Sequence, residues 1–405
     1  MEINIKDTKP WLKEIEVTIE PERVKHKIEQ ITASYANKAQ VPGFRKGKVP
    51  RPILQRRYGA TFEAMAIDEL FDEAFKEIIQ NNNLQPVSQA QISDYTLTDD
   101  KTLKFELSFE VIPEFELKNY VGIKIKKQEP TGFDEEFDRR VRILQEKCAT
   151  YISLNRPAEN NDYILVDYEI YEQNKLVGKK QSGVMIELGS NNNHPNINQA
   201  LLGVKAGDEK IVSVSFPEDF SDKTLANRTL EYKFYVRDIK EKKLPEIDDE
   251  FAKDLGFKDL SELKDQLNQE IMLDRARIIE DDLKSQIYHY LVSEHNFDPP
   301  NVYVEMAYKE IINEYQFQDS EETRKKLANH AQERARFTII LDKIAEKENI
   351  KPTEQDIEQE LEKYRRLGIN ESQLAMIKTS PVFISRITHN RVMDWLLQKA
   401  EIITE

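Results

Sequence analysis

The stretch Val41-Pro42-Gly43-Phe44-Arg45-Lys46-Gly47-Lys48-Val49-Pro50 can be neither helix nor strand, and so it separates whatever lies on its two sides. Pro42 and Pro50 stop a helix at each flank, because proline lacks an N–H and its ring excludes helical angles in the residue before it. Gly43 and Gly47 reach backbone angles closed to other residues. A tight loop follows, with Phe44, Arg45 and Lys46 at its tip. From Asn37 to Phe62 the chain carries Lys38, Arg45, Lys46, Lys48, Arg51, Arg56 and Arg57 and no acid, although the whole has a net charge of −15. An exposed Phe beside Arg suits an anchor in a partner's groove, with the cations meeting phosphate or carboxylate at its rim. A nucleotide-binding P-loop needs one more residue between its glycines and a Ser or Thr after its lysine. Val49 stands in that place, so the P-loop is excluded.

Around this loop the pattern is α+β. Lys9 to Ile19 alternates and reads as a half-buried strand. Pro21 opens a helix with Val24, Ile28, Ile31 and Tyr35 at helical spacing, and Arg51 to Asn81 is a long second helix. Strands follow at Ile92–Leu97 and Leu103–Ile112, the latter with Leu103, Phe105, Leu107, Phe109 and Val111 on one face. Helices on one side of an antiparallel sheet make this a domain.

Gly43 to Pro50 resembles the signature loop of the trigger factor family, the bacterial ribosome-associated chaperones, and Leu244-Pro245-Glu246-Ile247-Asp248-Asp249-Glu250-Phe251-Ala252 resembles a second junction of that family. The resemblance implies that Phe44, Arg45 and Lys46 touch the large ribosomal subunit near the exit tunnel, on a tunnel-exit protein and adjacent rRNA. Gly43 and Gly47 would shape the loop, with Lys48 in the same segment. It also implies shielding of unfolded nascent chains without ATP, and a homodimer off the ribosome. Two other functions stay open: a folding enzyme whose main work is prolyl isomerisation, and a holdase independent of the ribosome.

The organisation expected is a ribosome-binding α+β domain over 1–112, an extended linker and connecting helix over 113–150, a small β-rich domain over 151–244 and a helical chaperone body over 245–405. The fold class is therefore α+β multidomain, with an elongated all-α C-terminal body bearing arms. In the third segment, Ala200 to Glu209 and Val212 to Phe220 are similar to FKBP-type prolyl isomerases. Such an enzyme works through apolar walls that desolvate the X-Pro amide and lower the barrier of a slow bond rotation. Tyr168, Val184, Ile197, Phe216, Phe220 and Tyr232 are the wall candidates. His194 stands where the family has a wall Ile, Ile197 replaces a Phe, Asn198 a Glu, and Val184 an aromatic. The expectation is a retained fold with weak or lost isomerase activity.

Composition bounds the rest. A single cysteine, Cys148, excludes a disulfide framework and a Cys-based zinc site. The histidines show no metal-ligand spacing, and the acidic pairs Asp248-Asp249 and Asp281-Asp282 read as surface charge, so neither metal nor cofactor is expected. No apolar run follows Met1 or approaches membrane length, which points to a cytoplasmic protein with no membrane partner. Met272, Ile278, Tyr288, Tyr308, Phe317, Phe337, Met376, Ile377 and Phe383 either build helix cores or face clients; sequence alone does not separate the two.

Overall fold

The computed structural model describes residues 1–36, 44, 49–219 and 224–404, in two compact units: Met1–Gln128 with Ile279–Glu405, and Glu129–Ile278. The first unit begins with strands β1 (Glu2–Lys9) and β2 (Leu12–Ile19), helices α1 (Pro21–Ala36) and α2 (Arg51–Asn82), and strands β3 (Gln91–Leu97) and β4 (Leu103–Glu110). The sheet is antiparallel in the order β1-β2-β4-β3. Ile15, Val17 and Ile19 lie opposite Leu107, Phe105 and Leu103, so the pleat sends all six to one face. Helices α1 and α2 cover that face with Ile28 and Ile31, and with Leu54, Phe62, Leu70 and Ile78. Fully burying each such side chain contributes about 1.5–3 kcal/mol. The alternation starting at Lys9 is real from Leu12 onward. Before it lies β1, a strand that sequence misses because its apolar residues are few.

Helix α2 starts beyond Pro50 with proline in its first turn and ends at Asn83 in the left-handed region. Asn tolerates that conformation better than most residues and closes helices for this reason.

Strand β5 (Lys124–Lys127) closes the next stretch of the first unit. The second unit then runs through α3 (Phe133–Lys147), β6 (Thr150–Ser153), β7 (Tyr163–Glu172), β8 (Lys175–Leu176), β9 (Gln181–Glu187), α4 (Pro195–Leu201), β10 (Glu209–Ser215), β11 (Thr229–Lys243) and α5 (Asp249–Asp254). Its sheet has the order β10-β11-β7-β8, with β6 on β11 and β9 on β7. Ile164, Val166, Leu201, Phe234, Val236 and Ile239 form the core beneath α4. At the bulge beside Val236, Arg237 turns outward and pairs with Asp167 at 2.6 Å. Asp167 also accepts the Gly183 N–H at 2.9 Å, which ties β7 to β9 where their register slips.

Helix α6 (Leu260–Glu294) begins in the second unit, where Leu263 and Leu267 pack with Val141, Phe251 and Ala252. Asp248 caps α5 by accepting the Glu250 and Phe251 N–H groups, so this acid is a structural cap and not free surface charge. Cys148 is half-buried beside the same cluster.

In the first unit the rest of α6 joins α7 (Asn301–Glu314), α8 (Glu321–Lys347), α9 (Glu354–Arg366), α10 (Glu371–Lys378) and α11 (Pro381–Lys399). Leu283, Ile287, Leu291, Ile340, Ile344, Val392 and Leu396 make one core, and Tyr120, Ile123 and Ile125 dock into it. The linker is pinned there by His295, whose Nε2 accepts the Lys118 N–H at 2.9 Å while Nδ1 faces the Leu291 carbonyl at 2.8 Å. Gln286 adds a two-way bond to the Lys126 backbone. Where sequence shows only helix, the chain closes with strand β12 (Glu401–Thr404), parallel to β5.

Candidate functional site

Phe44 is exposed, with 38% of its surface open. Gly43, Arg45, Lys46, Gly47 and Lys48 lie outside the described residues. The segment's two ends are built from the fold. Val49 is buried in the domain core, and Tyr35, at the end of α1, meets Tyr58 and Phe62 of α2 at ring separations of 5.5 and 5.1 Å. Below these rings, salt bridges bind α1 to α2. Arg23 reaches Glu77 at 2.9 Å, and Lys27 reaches Glu73 and Glu69. The hydrogen bond from Lys27, aided by its charge and that of Arg23, holds the Glu73 carboxyl below its ordinary pKa against the opposing effect of burial. The helix pair is thus a braced base, and an aromatic side chain stands exposed in the segment it carries.

The second constellation lies in the β-rich domain. Tyr168, Val184, Ile197 and Tyr232 all pack half-buried against the same core. Tyr168 and Tyr232 are 6.1 Å apart, and Tyr232 stacks with Phe234 at 5.9 Å. Burial pushes the Tyr232 phenol above its ordinary pKa, since a phenolate there would lose its hydration. Phe216 instead meets His194, at 6.0 Å. Phe220 lies outside the described residues. His194 is the N-cap of α4 and its Nδ1 accepts the Asn196 N–H at 3.2 Å. Asn198 accepts from Gly189 N–H and Asn193, and donates to the Ser190 carbonyl, holding the Asn-rich loop on α4. His194 and Asn198, two of the four departures from the isomerase pattern, are therefore occupied with local structure. A separate polar cavity of about 140 Å³, lined by Asp167, Glu169, Lys180, Glu209, Lys233 and Tyr235, opens on the other face of the sheet, since Asp167, Glu169, Lys233 and Tyr235 alternate with the core-facing Val166, Tyr168, Tyr232 and Phe234.

The helices sort the client-facing candidates. Tyr308 and Phe383 are buried, and Phe337 and Ile377 are half-buried against cores. Tyr288 packs on Phe337 at 4.7 Å. Met272, Ile278, Phe317 and Met376 are exposed, Met376 at 75%. Ser385, His389 and Asp342 resemble a nucleophilic triad, but both partners meet the same Nε2, at 3.3 and 2.6 Å. A relay needs the two ring nitrogens to serve different partners. Among the described residues no group of His, Cys, Asp and Glu could hold a metal ion. No helix searched there is long and apolar enough to cross a membrane.

An α+β domain with Phe44 exposed between its two helices, a β-rich isomerase-like domain and helices with exposed Met and aromatic side chains define a class of multidomain folding factor. Comparison with known proteins carries this to a family. Residues 1–144 match the model described as bacterial trigger factor protein, 155–237 that of FKBP-type peptidyl-prolyl cis-trans isomerase, and 259–398 that of bacterial trigger factor protein C-terminus. Trigger factors of Caldicellulosiruptor bescii and Halothermothrix orenii are each 30% identical, over 96% of this chain and 95% of the relative, and over 88% of both, respectively. A solved structure reported under "Promiscuous Substrate Recognition in Folding and Assembly Activities of the Trigger Factor Chaperone" shares the fold, with a TM-score of 0.57 and 20% identity over 98% of this chain and all of that one. The chain belongs to the trigger factor family. It is a ribosome-associated chaperone whose N-terminal domain is the ribosome-binding part, and nascent chains are its substrates.

Proposed function

We propose that the chain docks near the exit tunnel of the large subunit through Gly43, Phe44, Arg45, Lys46, Gly47 and Lys48, against a tunnel-exit protein and adjacent rRNA. The observation that carries this is the exposure of Phe44 in a segment whose flanks are packed into the domain. An apolar ring held out in water costs solvation unless a partner covers it. Held there in the cytoplasm, the chain shields emerging segments with Met272, Ile278, Phe317 and Met376, whose flexible or flat side chains adapt to many sequences. Replacing Phe44, Arg45 and Lys46 together by Ala tests the reading. Co-sedimentation with large subunits is lost while the circular dichroism spectrum is kept; retained co-sedimentation rejects it. Chains released from the ribosome associate as a homodimer, which sedimentation velocity checks.

In the β-rich domain, Tyr168, Val184, Ile197 and Tyr232 keep the apolar face of an isomerase. His194 and Asn198, fixed in the cap and the adjacent loop, leave it a weak or inactive one. A protease-coupled assay on a proline peptide decides: turnover at the level of active FKBP-type enzymes overturns this assignment.

A further inference from the structure

Helix α2 is split by charge. Its first part holds Arg51, Arg56 and Arg57 and no acid, while from Glu63 onward it holds Glu63, Asp68, Glu69, Asp72, Glu73 and Glu77 against the single Lys76. The acidic part is answered from its own domain: Lys101 pairs with Glu63, Lys27 with Glu69 and Glu73, and Arg23 with Glu73 and Glu77. The basic part is not. Arg51, Arg56 and Arg57 are all exposed, and among the described residues none of them forms an ion pair. The Arg57 guanidinium lies 5.8 Å from the centre of the Tyr58 ring, within cation–π reach. At helical spacing Arg56 and Arg57 lie on either side of the direction opposite Leu54 and Phe62, which face the core.

We infer that Arg56 and Arg57 are RNA-phosphate contacts that add to the salt-dependent part of ribosome binding. The inference rests on the docking reading and extends it from the loop into the helix. The partner is phosphate because the arginines are unanswered fork donors clustered on an otherwise anionic molecule, and bidentate recognition of phosphate is what such forks do best. The acidic remainder of α2 repels the same RNA, so the helix carries an electrostatic polarity that orients the domain on a polyanion.

The test uses the full chain, purified large ribosomal subunits and a salt series. Parent chain and a variant carrying Arg56→Gln and Arg57→Gln are compared, with Phe44→Ala as control and thermal melting to check the fold. The slope of log affinity against log salt falls by about one for each phosphate contact removed. The variant also loses hydroxyl-radical protection of ribosomal RNA seen with the parent. Phe44→Ala weakens binding at every salt concentration and leaves the slope unchanged. An unchanged slope in the arginine variant overturns the inference, and so does a reduced slope with RNA protection intact, which assigns the arginines to protein carboxylates. A parent chain that does not bind subunits overturns the docking reading itself.

Discussion

The ring of Tyr35, at the end of α1, stands 5.1 Å from that of Phe62 in α2, tilted by 59°. Their contact closes the helix pair immediately below the segment that carries Phe44. Aromatic pairs of this kind contribute about 0.5–1.5 kcal/mol beyond the area they bury. Tyr35→Ala is expected to lower the stability of the N-terminal domain by about that much in urea titration. It also weakens ribosome co-sedimentation without touching the loop, since the loop's two ends lose their common brace.

The ion pairs between α1 and α2 give the brace a pH dependence. Glu73 has a folded pKa lowered chiefly by the hydrogen bond from Lys27. Its contribution is therefore present above the unfolded value of about 4.3 and lost as pH falls through the lower folded one. Lys27 is raised chiefly by its hydrogen bond to Glu73, so its share holds below the unfolded lysine value and fades as pH rises through the folded one. Glu73→Gln should cost less than about 1 kcal/mol at neutral pH, because the carboxylate is partly solvated. In acid denaturation followed by circular dichroism, the variant's stability should vary less than the parent's between about pH 5 and pH 3.

His194 ties the isomerase question to a helix cap. Its replacement by Ile removes the acceptor for the Asn196 N–H and restores an aliphatic wall. The expected result is a domain less stable by about 1 kcal/mol in thermal melting. Combined with Ile197→Phe, the same change should raise proline-peptide turnover above that of the parent chain.

His295 is buried with both ring nitrogens engaged. A backbone N–H can only donate, so Nε2 is the acceptor toward Lys118 and Nδ1 carries the proton toward the Leu291 carbonyl. His295→Phe keeps the volume and strands the Lys118 N–H, while the Leu291 carbonyl keeps the backbone N–H of residue 295, at a cost of about 1–3 kcal/mol. Hydrogen exchange should show lost protection at Lys118 with the α1–α2 helix pair unaffected.

Much of this architecture is legible in the sequence. The alternation of β4 and the helical spacing of α1 and α2 survive because one face of each is wholly apolar. What was hidden had no such contrast. Strand β1 offers few apolar residues. Strands β5 and β12 span four residues each, and their pairing joins segments far apart in the chain, so no local pattern announces it. The cap at His194 was illegible because histidine is not among the usual capping residues. Tyr308 and Met376 both look like helix-face hydrophobics, yet one is buried and the other open, which depends on neighbours that spacing alone does not name. The exposure of Phe44 was readable, since a stretch so dense in proline and glycine reads as a loop outside the core.

The pairing of Lys124–Lys127 with Glu401–Thr404 sets an order of events during the chain's own synthesis. The earlier strand leaves the ribosome long before its partner has been translated, and it waits as an open edge until Glu401–Thr404 have been made. A factor that attends unfinished polypeptides is thus, through most of its own translation, an unfinished polypeptide with an unpaired seam. Its linker can be fastened by β-pairing only once translation has reached residue 404.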